Sequence, residues 1–427
     1  SQGNDNISNS AAFCYHESVK YSDKLMGLKI GNIENQSIQW ETTRRFNVGT
    51  DLIAFNNRLR LTGNFFHNTT DNLLTLKKLD PLAGVEYAWS NGGSLKNVGG
   101  YVNANVRVLN TKNWKWELGA SMGTFKNVVT QLPDQTIINK NWTEKDGELR
   151  GFTTEAYGAT IVTAVGQSAG LFFGYETDGV FASTAEAYDE EKGDWVLKTY
   201  DVNTGVKTPL EAGDVKFVDV NGDGYITNGT NTNGDPGDRV KIGNSTPRYE
   251  YGFRLGADYK GFDFSVFMQG VGQREIWGAG QLAIPGFHVK DGAMPQTFAE
   301  DFWKADRTDA FYPRAWNLNG DATGQTMVPQ SRYLLDMSYF KIKNITIGYG
   351  LQENALRKAK LKNARIYVSL ENFFVFDNLR GLPIDPEAVS GTGGPLTSGT
   401  TTSYNLGRTG SGTPTFKSAS LGIQIGF

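Results

Sequence analysis

The densest run of metal-ligand side chains in the 427-residue sequence is Asp219-Val220-Asn221-Gly222-Asp223-Gly224-Tyr225. It presents three oxygen-bearing side chains on alternate residues, as the first half of a calcium loop does, but such a loop also needs a bidentate glutamate at its twelfth position. Here that position is Thr230, so Asp235 or Asp238 has to close the site, and Asp219, Asn221, Asp223 and Asp238 are the candidate ligands of a structural calcium ion. The competing reading is a set of Asx-turns in which the same oxygens accept from local backbone amides. Other chemistry has less support. His16, His67 and His288 stand far apart and Cys14 is the only cysteine, which argues against a histidine metal site, a cysteine nucleophile system and an internal disulfide. No phosphate-binding Gly-x-x-x-x-Gly-Lys and no Gly-x-Ser-x-Gly elbow occurs, so neither an enzyme nor any other cofactor is expected. A net charge of −3 offers no basic face for nucleic acid.

The elements around these residues read as strands. Ser418-Ala419-Ser420-Leu421-Gly422-Ile423-Gln424-Ile425-Gly426-Phe427 alternates apolar and small polar residues to the end of the sequence, which gives a strand one greasy and one wet face. Similar alternation runs through Phe46–Leu52, Leu59–Phe65, Val102–Val108, Trp114–Met122, Tyr249–Ala257, Phe262–Met268 and Ala364–Leu370. In the strand after Ser338, Lys341, Lys343, Ile345, Ile347 and Tyr349 share a phase that Phe340 and Ile342 break, so a bulge or an inward aromatic is expected there. Asn56-Asn57 and Lys260-Gly261 suit tight turns, since asparagine and glycine tolerate positive φ.

Connections after Leu52, Leu109, Asp258 and Tyr349 are short, whereas those near 68–98, 126–247, 271–336 and 377–415 are long. Short and long connections alternate in a membrane β-barrel, whose strands also alternate between lipid and lumen and carry aromatic girdles at both interfaces. Leu421, Ile423, Ile425 and Phe427 are then the lipid-facing residues of a closing strand. A mean hydropathy of −0.41 is that of a water-soluble protein and no apolar run reaches the roughly 18 residues of a membrane helix, but a barrel with a wet lumen needs no such run. A soluble sandwich, including a β-rich carbohydrate-binding protein, and a small passive porin are the competing architectures. The sequence opens on Ser1 without methionine or signal peptide, as a processed or cut product would.

Several ordered stretches carry a resemblance. They are Gln39-Trp40-Glu41-Thr42-Thr43, Asn56-Asn57-Arg58-Leu59, Asn91-Gly92-Gly93, Asp178-Gly179-Val180-Phe181, Gly213-Asp214-Val215-Lys216-Phe217-Val218-Asp219, Ile242-Gly243-Asn244-Ser245-Thr246-Pro247, Ser338-Tyr339-Phe340-Lys341-Ile342-Lys343-Asn344, Asp385-Pro386-Glu387 and the terminal Phe427. Together they resemble the C-terminal part of SusC/RagA-type TonB-dependent transporters of Bacteroidetes outer membranes. The resemblance implies an all-β fold in which residues 1–427 form about half of a 22-stranded, plugged transmembrane antiparallel barrel, with the plug outside this chain. It further implies import of oligosaccharides or peptides, a SusD-like surface lipoprotein as lid, TonB as energy source, and a remaining barrel half present elsewhere. Trp277, Trp303, Tyr312 and Trp316 could stack on sugar rings or simply pack the loops.

Overall fold

The computed structural model describes residues 15–22, 25–133, 136–142, 147–156, 159–229, 234–278, 296–314, 328–388, 408 and 412–426. Cys14, Thr230, His288, Trp316, Phe427 and most of the Gly-Ser-Thr run after Gly391 lie outside them. Nine strands form one antiparallel sheet in which each strand pairs with its sequence neighbours. They are β1 (Thr42–Ala54), β2 (Leu59–Lys78), β3 (Tyr87–Asn110), β4 (Trp114–Gln131), β5 (Tyr249–Tyr259), β6 (Phe262–Gly272), β7 (Tyr339–Gly350), β8 (Asn363–Asp377) and β9 (Ser418–Gly426). A separate hairpin, Tyr15–Ser22 with Leu25–Asn32, precedes them.

The register shows why the alternation matters. Trp116, Ala257, Phe264, Ile347, Val368 and Leu421 lie opposite one another across six strands, and Leu118, Leu255, Val266, Ile345, Leu370 and Ala419 form the row beside it. This face is apolar and open: Leu421 is 71% exposed, Ile423 67% and Phe376 58%. A contiguous apolar face of this extent far exceeds what a soluble monomer leaves in water. Its two borders are aromatic. At the short-turn end Trp114 stacks on Tyr259 at 4.1 Å and Phe262 meets Tyr349 at 4.6 Å; at the other end Phe340 lies 6.4 Å from Tyr251 and 6.2 Å from Phe376. Tyr259 and Tyr251 are roughly 26 Å apart along β5 at ~3.3 Å per residue, close to the height of a membrane apolar band.

The phase break in β7 is a bulge. Asn344 pairs with Phe267 and Ile342 with Met268, so Lys343 is the extra residue; on the other side Asn372 of β8, at φ 57°, falls in the matching irregularity. The insertion lets Ile342 and Ile345 both point to the apolar face, so Phe340 stays apolar-side and Lys341 and Lys343 turn to the other.

Turns and connections follow the expected asymmetry with two changes. Phe55, Asn56 and Asn57 all hold positive φ, as do Lys260 and Gly261. The connection after Gly350 is longer than expected, because 351–362 carries α1 (Glu353–Ala359), which ends on Lys360 at φ 56°. The stretch 68–98, expected as loop, is mostly strand. β2 and β3 are 20 and 24 residues long, so the hairpin projects well beyond the 9–11 residues that cross a bilayer. Its far part packs against the first connection, with Leu74, Thr75 and Ala88 buried and Tyr87, Trp89 and Leu95 against Val129, Leu132 and Phe152, a burial that period-two hydrophobicity cannot reveal.

The described parts of the connections 126–247, 271–336 and 377–415 share one folded module above the sheet. Its five-stranded antiparallel sheet runs Arg239–Asn244, Leu171–Tyr175, Ala159–Ala164, Gly147–Ala156, Ile137–Trp142. Phe172 and Ile161 from the first connection, Trp277, Tyr312 and Tyr333 from the second, and Leu382 from the third share one core. Each fully buried large side chain contributes ~1.5–3 kcal/mol. Because Trp277, 1% exposed, joins parts of the module distant in sequence, Trp277→Ala is expected to cost ~3–5 kcal/mol. Limited proteolysis should then show cleavage within 132–247, 273–336 or 378–415 while the strands β5–β9 stay protected.

Candidate functional site: the polar wall and the module above it

The face opposite the apolar one carries the chemistry. One row runs Ile53, Arg60, Asn105, Gly119, Arg254, Phe267, Asn344 and Glu371, and the next holds Asp51, Thr62, Asn103, Ser121, Gly252, Gln269 and Lys341. Toward the short-turn end Arg365 donates to Asp263 at 2.8 Å and to Gln424 at 3.4 Å. A hollow of about 490 Å³ opens on this face at Arg58, Arg60, Arg107 and Arg254.

Lys341 and Lys343 form a buried charge network where this wall meets the module. Lys341 is 1% exposed; its Nζ donates to Glu387 Oε2 at 2.9 Å and to Thr415 Oγ1 at 2.7 Å and lies 3.4 Å from Asp385 Oδ2. Lys343 Nζ donates to both Glu387 oxygens at 2.8 Å. Thr415 donates to Asp385 through its amide at 2.9 Å and its hydroxyl at 2.7 Å. The network therefore pins the chain on both sides of 389–411 to β7. Sequence reading picked out the two lysines and Asp385-Pro386-Glu387 separately; the signal that they belong together was the charged pair placed on an otherwise hydrophobic strand.

Burial alone would raise the Asp385 carboxyl, but hydrogen bonds from the Thr415 side chain and amide, the Glu387 amide and the Lys341 charge outweigh it and hold it below the usual carboxylate range. Glu387 is likewise lowered against its burial, by Lys343 and Lys341. Because both are depressed in the folded protein, the stability they contribute is present above the ordinary carboxylate pKa values and lost as pH falls through the lower folded ones. Lys341→Ala strands the partly buried Asp385 and Glu387 carboxylates, which is destabilising. It should speed proteolytic cleavage between Glu387 and Thr415 several-fold at neutral pH, and acidification below about pH 4 should do the same to the unaltered protein.

The Asp219 run adopts the Asx-turn arrangement. Asp219 Oδ1 and Oδ2 accept from the amides of Gly222 and Gly224, both at 2.7 Å; Asn221 Oδ1 accepts from Asp223 N at 3.0 Å and Asp223 Oδ1 from Tyr225 N at 2.8 Å. Gly222 and Gly224 hold φ of 76° and 82°, which explains the glycines. Asp238 is fully buried and faces inward, accepting from Val220 N at 3.1 Å and Thr227 N at 2.8 Å. Burial raises its pKa, with Asp219 and Asp223 adding to the rise and the two amides opposing it. Asp235 accepts from Gly237 N at 3.2 Å in a turn of its own. Among the described residues no group of three His, Cys, Asp or Glu side chains converges, and the oxygens of Asp219, Asn221, Asp223 and Asp238 accept from backbone amides. Asp238→Ala removes the buried acceptor of the Val220 and Thr227 amides, at ~0.5–1.5 kcal/mol per hydrogen bond, and should lower the melting temperature, whereas Asp223→Ala should leave bound calcium unchanged by elemental analysis.

The aromatics singled out for stacking separate. Trp277 and Tyr312 are 1% and 2% exposed and belong to the core, so they cannot meet a sugar. Trp303 is held by its Nε1 donating to Ala182 O at 3.2 Å and packs over Gly213, where a Cβ would meet the indole at 2.5 Å. The accessible rings lie elsewhere: Tyr200 borders a hollow of about 420 Å³ with Thr199, Asp201 and Thr208, and Lys207 sits 4.1 Å over the ring of neighbouring Tyr225. A larger hollow, about 740 Å³, separates the strand tops from the module at Lys126, Gln167, Arg248 and Glu275. Burial raises the Glu275 carboxyl, opposed by the Asn244 amide it accepts from.

Comparison with known proteins places this two-faced sheet. No protein-family model matches the chain. It is 28% identical over 386 residues to the TonB-dependent receptor P3 of Formosa agariphila, covering 88% of this chain and 34% of that one. It is 24% identical over 368 residues to the TonB-dependent receptor SusC of Bacteroides thetaiotaomicron, covering 84% and 30%. The chain thus spans about a third of the length of these relatives. The solved RagAB peptide transporter superposes with a TM-score of 0.64 at 20% identity, over 100% of this chain and 40% of that one. Sequence and fold agree: the chain resembles SusC/RagA-type TonB-dependent transporters, and its nine-stranded sheet has the fold of part of their antiparallel β-barrel.

Proposed function

We propose, with that resemblance as premise, that this chain is the C-terminal part of an outer-membrane barrel that actively imports oligosaccharides or peptides. The observation that carries the reading is the sheet's division into an open, aromatic-bordered apolar face and a charged polar face, with the folded module at the end away from the short turns. Lipid covers the first, solute passes the second, and the module and its hollows receive solute from outside. Leu421, Ile423 and Ile425, with Phe427 next in phase, face lipid on the last strand. The rest of the barrel and its plug, TonB and a SusD-like lipoprotein lid are the partners this reading requires. The module's large buried core supports a surface firm enough to dock a lid.

The family resemblance implies oligosaccharides or peptides, and the superposable RagAB structure is that of a peptide transporter, so the substrate test must offer both. Cells expressing the full-length protein, with and without an active TonB, are given mixed oligosaccharide and peptide pools. TonB-dependent depletion of one pool is expected. Equal depletion without TonB would leave a passive porin instead, and recovery of the protein in the detergent-free soluble fraction would contradict both. In refolding into bilayers, Leu421→Arg should cost ~2–4 kcal/mol near the midplane, less toward the interface, while Ser420→Arg on the polar face should be close to neutral.

A further inference from the structure

The polar wall carries a charge imbalance that no acid among the described residues answers. Arg58, at the Phe55–Arg58 turn, Arg60 of β2, Arg107 of β3 and Arg254 of β5 line one hollow of about 490 Å³. Glu117 is the acid on its rim, and it is taken by Arg107 at 2.9 Å. The guanidinium groups of Arg58, Arg60 and Arg254 have no ion pair or hydrogen bond among the described residues, and all three are exposed. Asp51, in the neighbouring row, is engaged by the Thr62 hydroxyl at 2.5 Å. The chain as a whole is slightly acidic, at −3, so the surplus here is local.

Register explains how they gather. Arg60 and Arg254 share one row, with Asn105 and Gly119 between them, and Arg107 stands opposite Glu117 in the row below. Gly119 and Gly256 leave the floor of the hollow without side chains. Phe267, 45% exposed, continues the Arg254 row and adds an apolar ring at its edge. A forked guanidinium binds a carboxylate through two parallel N–H donors, and three of them around one recess can hold an oligomer with several carboxylates while Phe267 covers its carbon skeleton.

We infer that this recess is a binding site for carboxylate-bearing oligomers, and hence that the solute passing the wall is acidic. The inference rests on the import reading, in which the polar face lines the path. Uronic-acid oligosaccharides and acidic peptides offer the same group, and the experiment separates them. Binding to the purified full-length protein in detergent is measured by calorimetry with tetragalacturonate and tetraglutamate, and with maltotetraose and tetraalanine as neutral counterparts.

One acidic probe is expected to bind at least tenfold more tightly than its neutral counterpart. That affinity should weaken at least tenfold in Arg60→Gln/Arg254→Gln and fall with added salt, with the variant's heat-modifiable electrophoretic shift unchanged. Binding of neither acidic probe, or acidic binding that the variant leaves intact, overturns the site. A variant that melts at lower temperature while the parent binds no acidic probe would assign the arginines to an acidic segment of the same polypeptide, and also overturns it. A protein that imports neutral oligomers with TonB but shows none of these effects keeps the import reading and loses only the anion site.

Discussion

In hydrocarbon no water is available to the peptide backbone, so each amide and carbonyl must be bonded within the protein, and an unsatisfied one costs several kcal/mol. The rest of this structure depends on that constraint. It selects a sheet whose strands pair with both neighbours, and it lets side chains be sorted between lipid and lumen by parity alone. Seven of the nine strands have both sides paired; β1 and β9 have one each. In a soluble protein such edges are blunted, whereas in a barrel they are where the circle continues. The bulge at Lys343 shows parity being enforced: one inserted residue restores the apolar face above it and turns two lysines inward.

Those lysines connect the two-faced sheet to the folded module. The module shares a core assembled from three separate connections, and its attachment to the wall is polar, through Lys341, Lys343, Asp385, Glu387 and Thr415. A hydrophobic attachment at that height would have put apolar residues on the wet face of β7, against the alternation. A neutralised charge network meets both demands, and ties the module's position to the protonation of two carboxylates.

Much of the wall was legible in the sequence because a strand with two different environments writes period two directly into its residues. The common face of Leu421, Ile423 and Ile425 and the irregularity near Phe340 followed from it, and the turns at Asn56-Asn57 and Lys260-Gly261 from residues that tolerate positive φ. The module was not legible. Ala159–Ala164 is buried on both faces and the far halves of β2 and β3 pack against the first connection, so neither alternates, and 126–247 read as loop. For the same reason Trp277 and Tyr312 could not be told from ligand-stacking rings: only their neighbours, distant in sequence, bury them. The Asp219 run shows a further limit, since a calcium loop and a set of Asx-turns draw on the same residues.

The central claim is that the two faces of the sheet meet lipid and water, and the last strand tests it most directly. Single cysteines placed at each position from Ala419 to Ile425 of the full-length protein, reconstituted in bilayers, are spin-labelled and exposed to oxygen, which concentrates in lipid, and to a water-soluble nickel chelate. Oxygen accessibility should peak at 421, 423 and 425 and nickel accessibility at 420, 422 and 424. Uniform nickel accessibility along the strand, or no alternation, would contradict it.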